Sequence, residues 1–189
     1  MVTKMLHKER TMRLAVTIIA FVLCAPAFTA TLEKLSIEQM AQQSTMIVRG
    51  QVTSCSGEAR GSIIYTRCGV AVSETWKGAP SAKLDFLVPG GTFNGLTQTF
   101  TGTPKFAPKD EFVLFLWVGR SGIPQIIGLS QGVFGVSFSP GGQATVRREA
   151  TTEVMLDSKG KQVQDKAVDI ALPELRTRVN RALAGGAQK

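Results

Sequence analysis

Catalysis by side chains draws on a short list of residue types, and this sequence of 189 residues offers few of them in a usable pattern. It holds one histidine, His7, and three cysteines, Cys24, Cys55 and Cys68. His7 and Cys24 both precede residue 30, so the rest of the chain has no histidine and one cysteine pair. A serine triad then lacks a base of near-neutral pKa. Serine–lysine chemistry lacks an S-x-x-K at a helix start. Zinc lacks imidazole and, with one cystine, lacks free thiolates. Glu74, Asp85, Asp110 and Glu111 are the acids a two-carboxylate hydrolase would draw on, although Asp110-Glu111 also suits a turn before a strand. Asp157-Ser158-Lys159-Gly160-Lys161 is a poor calcium loop because of its lysines. Gly90 and Gly91 open no helix and precede no Walker lysine. No catalytic residue, metal ligand or cofactor is assigned; a carboxylate hydrolase with a metal is kept as an alternative.

Cys55 and Cys68 are expected to bond if the chain is exported, with a pair of free or transiently reactive thiols as the alternative. Closing a loop of about 14 residues would stabilise by roughly 3 kcal/mol in the chain-entropy model. A two-residue turn at Gly61-Ser62, with Gly first, fits a type II′ hairpin. It pairs Arg60 with Ile63 and, counting outward, sets Cys55 opposite Cys68 at a non-hydrogen-bonded position, where Cα atoms approach closely. In that register the face holding Val48 and Val52 and the face holding Val70 and Val72 lie on opposite sides of the sheet. A bulge at Gly69 or a longer loop would reconcile them.

Binding is the chemistry that remains. The segment GGTFNGLTQTFTGTPKFAPKD, 90–110, is rich in Gly, Thr and Phe and reads as a long irregular connection, a type that is functional or mobile in compact domains. Gly90, Gly91, Phe93, Phe100, Lys105 and Phe106 are its candidate binding residues, joined by Trp76 at a strand end. The structural reading sets Phe106 and Phe112 into a core and Trp76 over a barrel mouth. A protein or cell-envelope partner is the preferred expectation, with a small ligand or oligosaccharide as the alternative. Nucleic acid is not expected, given the modest charge and the export signal.

That signal is LAVTIIAFVLCA at 14–25, behind Lys4, Lys8, Arg10 and Arg13 and ahead of APAFTA at 25–30. It implies a signal peptide over 1–27, ending in Ala25-Pro26-Ala27, with cleavage after Ala30 as the alternative. Lipidation at Cys24 is disfavoured by Leu23, where a lipobox wants a small residue. The full chain has 22 basic and 14 acidic residues; without four basic and one acidic residue of the signal, the net charge falls from +8 to +5. The expected location is periplasmic or secreted, in a bacterium, with membrane contact only during export.

Residues 31–189 are long enough for one domain with its own core. Leu32, Leu35, Ile37 and Met40 predict a short helix, with Ser36 and Gln39 as a capping box. Strands are expected at 46–55, 63–76, 82–90, 111–119, 124–131 and 133–139. FVLFLWV is apolar on both faces and belongs at the centre of a covered sheet. Residues 143–164 predict a further hairpin from QATVRREA and TEVMLD, with a turn at Ser158–Lys161. Leu172, Leu175, Val179, Ala182 and Leu183 predict a C-terminal helix over 171–184, with Pro173 in its first turn and Gly185-Gly186 at its end. Its arginines, Arg176, Arg178 and Arg181, read as a solvated face.

MIVRGQV, IYTRCGVAVSETWKG and FAPKDEFVLFLWV together resemble the core of netrin-like domains and tissue inhibitors of metalloproteinases. The pieces Ile47–Gly50, Thr66 through Lys77-Gly78, Pro89–Gly91 and Phe112–Phe115 also resemble uncharacterised bacterial secreted proteins with an IVRG strand, a KG turn, a PGG segment and an apolar FLF-type strand. The resemblance covers roughly 37–138. It implies a mainly β fold, a five-stranded OB-like barrel flanked by N-terminal and C-terminal helices. Metalloproteinase inhibitors bind the protease zinc through an N-terminal cysteine. This chain has no cysteine between residues 28 and 55, so that mechanism maps onto none of its residues.

Overall fold

Two long strands dominate the computed structural model, which describes residues 31–119, 122–151 and 153–186. The signal segment and both cleavage sites lie outside these residues. In chain order the elements are β1 (Thr31–Glu33), an N-terminal helix (Ile37–Gln43), β2 (Met46–Arg60), β3 (Ile63–Lys77), β4 (Lys83–Pro89), β5 (Gly91–Phe93), β6 (Leu96–Gln98), β7 (Glu111–Val118), β8 (Pro124–Ile126), β9 (Val133–Phe138), β10 (Ala144–Arg148), β11 (Val154–Leu156), β12 (Gln162–Val163), β13 (Val168–Ala171) and a C-terminal helix (Leu172–Gly186).

The main sheet runs β13-β10-β9-β7-β2-β3-β4-β8, and β8 pairs back onto β7. The path β7-β2-β3-β4-β8 therefore returns on itself as a five-stranded, barrel-like ring. Its seam is slender: β4 and β8 run parallel and share one register pair, Leu87 with Gln125. β8 and β9 lie on the same edge of β7, facing 116–118 and 112–114 respectively. The run expected as one strand over 124–131 is thus cut short at Ile126. Ile127 and Gly132 still bond to the Phe115 backbone, and between them residues 128–131 loop out, with Gln131 engaged elsewhere. Its buried amide accepts from the Leu35 N–H at 2.8 Å and donates to the Glu33 carbonyl at 2.9 Å, latching the segment before the N-terminal helix.

The hairpin β2–β3 follows the expected register. Arg60 faces Ile63, Cys55 faces Cys68, and the two cysteines are bonded. Gly61 takes a φ of +60° and Ser62 does not share the left-handed region, as a type II′ turn requires. The hairpin has three register shifts, and the one beside Gly69 puts its bulge on the other strand from the one expected. Val52 faces Val70 and Ser54 faces Gly69, leaving Thr53 as the extra residue. A Cβ on Gly69 would come within 2.9 Å of the Thr53 Oγ1, so the glycine makes room for the bulge rather than forming it. The slip turns Val52 and Val70 onto one buried face.

Strand β7 separates two cores. Leu114 and Leu116 point into the ring with Val48, Val70, Phe86 and Ile126, while Val113 and Phe115 point outward under the two helices. This is why FVLFLWV is apolar on both faces through Leu116; Trp117 and Val118, at its end, are exposed. The N-terminal helix has the expected capping box: Ser36 Oγ accepts from the Gln39 N–H, and Gln39 Oε1 accepts from the Ser36 N–H. At its other end the Lys77 ammonium donates to the carbonyls of Ala41 and Gln42 at 2.8 and 2.9 Å, meeting the helix dipole. Burial lowers the pKa of that lysine. The C-terminal helix buries Leu172, Leu175, Val179 and Ala182 and runs on through Gly185 and Gly186, where an end was expected. Among the described residues no helix is long and apolar enough to cross a membrane.

The hairpin expected at 143–164 forms only in part. The turn at Asp157–Lys161 is present and joins β11 to β12. QATVRREA, however, does not pair with TEVMLD. As β10 it inserts between β9 and β13, and β11 pairs in parallel with β1.

Candidate binding cleft

Past the end of β7, β2 and β3 run on as an arm pinned by the Cys55–Cys68 bond, with β4 still beside β3 as far as Tyr65. The segment 90–110 packs against this arm. It is more regular than the long irregular connection expected. β5 and β6 form a small hairpin whose turn is Asn94-Gly95, with φ of 48° and 77°. That is the two-residue type I′ signal, and it stands openly in the sequence TFNGLT. Gly57 on the arm lets the hairpin dock: a Cβ there would overlap the carbonyl of Thr92. Gly57→Ala is therefore expected to push the hairpin off the arm and cost about 1–3 kcal/mol. Faster hydrogen exchange at Thr92 and Thr97, with Val113 and Leu114 unchanged, would report it; unchanged exchange at the hairpin would refute the contact.

Between the hairpin, the end of β4 and residues 103–106 lies a cleft of about 510 Å³. Gly90, Gly91, Phe100, Lys105 and Phe106 line it, so five of the seven sequence candidates meet there. Gly90 and Gly91 act through backbone. Their φ of 92° and 135° bend the chain from β4 into β5, and the Gly90 carbonyl accepts from Thr66 Oγ1 at 2.8 Å. Phe106 closes the inner end, edge-on to Phe86 at 5.0 Å and to Phe112 at 5.1 Å, as the packing reading expected. Phe100 stays 40% exposed at the rim. Among the described residues, Lys105 is the only charged side chain in the lining.

Phe93 and Trp76 do not join them. Phe93 is half-buried in the hairpin, opposite Leu96. Trp76 packs against the helix-covered core rather than a barrel mouth. Its Nε1 donates to Glu74 at 3.0 Å, and the Arg176 guanidinium lies 5.9 Å from its ring centroid. The lining residues that sequence reasoning missed are Thr66, Thr92, Thr97, Gln98, Thr99 and Thr103 with their neighbours. Several hold the walls. Thr92 and Thr97 hydroxyls lie 2.9 Å apart, and the Gln98 side chain accepts from the Ile64 N–H and donates to the Ser62 carbonyl.

Of the acids considered for hydrolysis, Glu74 and Glu111 meet on one arginine, while Asp85 and Asp110 stand elsewhere. Arg49 bridges Glu74 and Glu111, each at 2.7 Å. Glu74 has its pKa lowered by the Trp76 hydrogen bond first and by Arg49 and Arg176 in addition, against the opposing effect of burial. Asp85 faces Arg67 at 3.5 Å, and Asp110 Oδ2 accepts from the Ala107 N–H to close the turn before β7. Asp157 Oδ1 accepts from the N–H groups of Lys159 and Lys161 within its own turn.

No protein-family model matches the chain, and no curated protein is significantly similar to it.

Proposed function

We propose that this is a non-enzymatic binding domain, exported to the periplasm or beyond, that takes a protein or cell-envelope partner in the cleft beside the β2–β3 arm. The carrying observation is the rim. Phe100 is 40% exposed, and Leu96 and Ile63, on the elements that meet there, are 70% and 36% exposed. Exposed large apolar groups beside a pre-shaped hollow are the composition of recognition surfaces. A single lysine gives no track for a phosphate backbone, which favours a partner other than nucleic acid. The engagement of Glu74, Asp85, Asp110 and Glu111 by arginines and a turn favours binding over hydrolysis. The barrel-like ring is compatible with the fold that the netrin-like resemblance implies.

A small ligand or oligosaccharide is the second reading. The cleft volume falls in the range of small-molecule sites, and its walls carry hydroxyls beside an aromatic ring. To test both, a photo-crosslinking residue is placed at Phe100 and, as control, at Phe138, which is more exposed still at 57%. Adducts with one envelope protein from position 100 alone are expected. Equal labelling from both positions would remove the cleft from consideration. Retention on a glycan array that is lost in Phe100→Ala, without protein adducts, would transfer the reading to saccharides.

A further inference from the structure

The β2–β3 arm leaves a long strand edge open. β7 pairs with β2 from Met46 to Gln51, and Val52 then donates to the Asp110 carbonyl and accepts from the Lys109 N–H. Among the described residues no strand pairs with that side of β2 from Thr53 to Arg60. The hairpin register says which backbone groups are left over. Arg60 and Ile63 flank the two-residue turn as a hydrogen-bonded pair, and bonded and non-bonded pairs alternate from there. Cys55, Gly57 and Ala59 fall at non-bonded positions, so their N–H and C=O groups point away from β3, toward the open edge. Thr53, Ser54, Ser56 and Ala59 are exposed and small, and do not fence the edge off. An unpaired edge of this kind is a template for another strand.

The β5–β6 hairpin roofs this edge. A Cβ on Gly91 would meet Thr66 of β3, whereas a Cβ on Gly57 of β2 would overlap the Thr92 carbonyl and lie 3.5 Å from the Phe93 nitrogen. β5 therefore crosses from above β3 to above β2, which sets the Asn94-Gly95 turn past β2. The Gln98 side chain reaches the arm, accepting from the Ile64 N–H and donating to the Ser62 carbonyl. Leu96, two residues earlier on β6, faces the same side by strand alternation, yet is 70% exposed. We propose that an extended segment of a partner polypeptide adds to β2 here as a further strand, antiparallel as β3 and β7 are, with its inward side chains under the hairpin. Opposite Gly57 the segment needs glycine, because the hairpin backbone lies close above. Opposite Ala59 it needs an apolar side chain, which Leu96 covers. A second copy of this chain does not fit. Its edge would bring its own hairpin on the same face, and the two turns would collide.

The probe is the blocked peptide acetyl-Thr-Val-Thr-Gly-Thr-Val-Thr-amide. In an antiparallel pair the residues that bond to β2 at this edge are those whose side chains face the hairpin, here the glycine and both valines. N-methylation of the valines removes N–H groups the pairing needs; N-methylation of the two inner threonines removes N–H groups that point to solvent. The intact protein is titrated with each peptide, following the Gly57 and Ala59 amide resonances by NMR. Saturable shifts are expected with the parent and the threonine-methylated peptide, and binding about tenfold weaker with the valine-methylated one. Leu96→Ala should weaken the parent peptide about tenfold. No saturable shift with the parent, equal affinity for the two methylated peptides, or unaltered affinity in Leu96→Ala would overturn the proposal. So would a dimer in sedimentation that protects the same amides without peptide. The crosslinks at Phe100 report the cleft on the hairpin's other face, so failure at this edge leaves that result standing.

Discussion

Asp165→Ala is expected to destabilise the fold by about 3–5 kcal/mol, because it strands a buried guanidinium. The Asp165 side chain is 1% exposed and that of Arg148 9%, so water cannot substitute for the lost partner. The carboxylate also accepts from the Thr151 N–H at 3.0 Å, tying the β10 strand to the segment that leads into β13. Denaturant unfolding should show the midpoint fall with little change in slope. Arg148→Met combined with Asp165→Leu should recover most of the loss, since an apolar pair of similar bulk needs no charge compensation. A single variant within about 1 kcal/mol of wild type would contradict the buried pairing. The pH dependence has a definite sign. Burial works to raise the Asp165 pKa, but the Arg148 hydrogen bonds, the Thr151 N–H and the arginine charge outweigh it, so the net direction is downward. A carboxyl group lowered on folding stabilises above its unfolded pKa, and that contribution is lost as pH falls through the folded value. The gap between wild type and Asp165→Asn should therefore be full at neutral pH and close below about pH 4.

Removing the cystine, as Cys55→Ala with Cys68→Ala, is expected to cost about 3 kcal/mol, the closure entropy of a loop of this length. The sequence separation is 13, and Cys68 is fully buried. The loss should be regional as well as global. The bond sits where the arm leaves the ring, and the arm carries both Gly57, under the β5–β6 hairpin, and Thr66, in the cleft wall. Hydrogen exchange in β5 and β6 should accelerate more than in β7. Uniform acceleration across both would mean that the arm is held by strand pairing alone.

Much of this was legible because it rests on local rules. A glycine-first turn and two cysteines at matching distance from it determine the hairpin register. Ser36 and Gln39 announce a helix start through their own hydrogen bonds. What escaped depends on neighbours remote in sequence. The apolar conflict between the Val48 and Val70 faces calls for a bulge or a longer loop. Only the packing against Asp85 and Thr53 decides that Gly69 yields and Thr53 bulges. Asn94-Gly95 was readable as a tight turn, yet the surrounding glycines and threonines masked the short strands. Arg147 and Arg148 look alike in the sequence. Strand alternation sends one outward to Glu149 and the other inward to Asp165, a partner 17 residues away. Gln131 reads as loop polarity and is a buried latch. The break it imposes on the 124–131 strand has no local signature.

The parallel pairing of β1 with β11 carries a consequence for biogenesis. Thr31 meets Val154, so one of the first elements of the domain has no companion until the ribosome has made nearly all of it. A nascent chain can zip β2 to β3 early, since that contact is close in sequence. Sealing its leading edge must wait for the trailing third. The native state is therefore completed in a late, topologically long-range step, and the waiting interval is when the polypeptide is most open to proteolysis or to capture by a holdase.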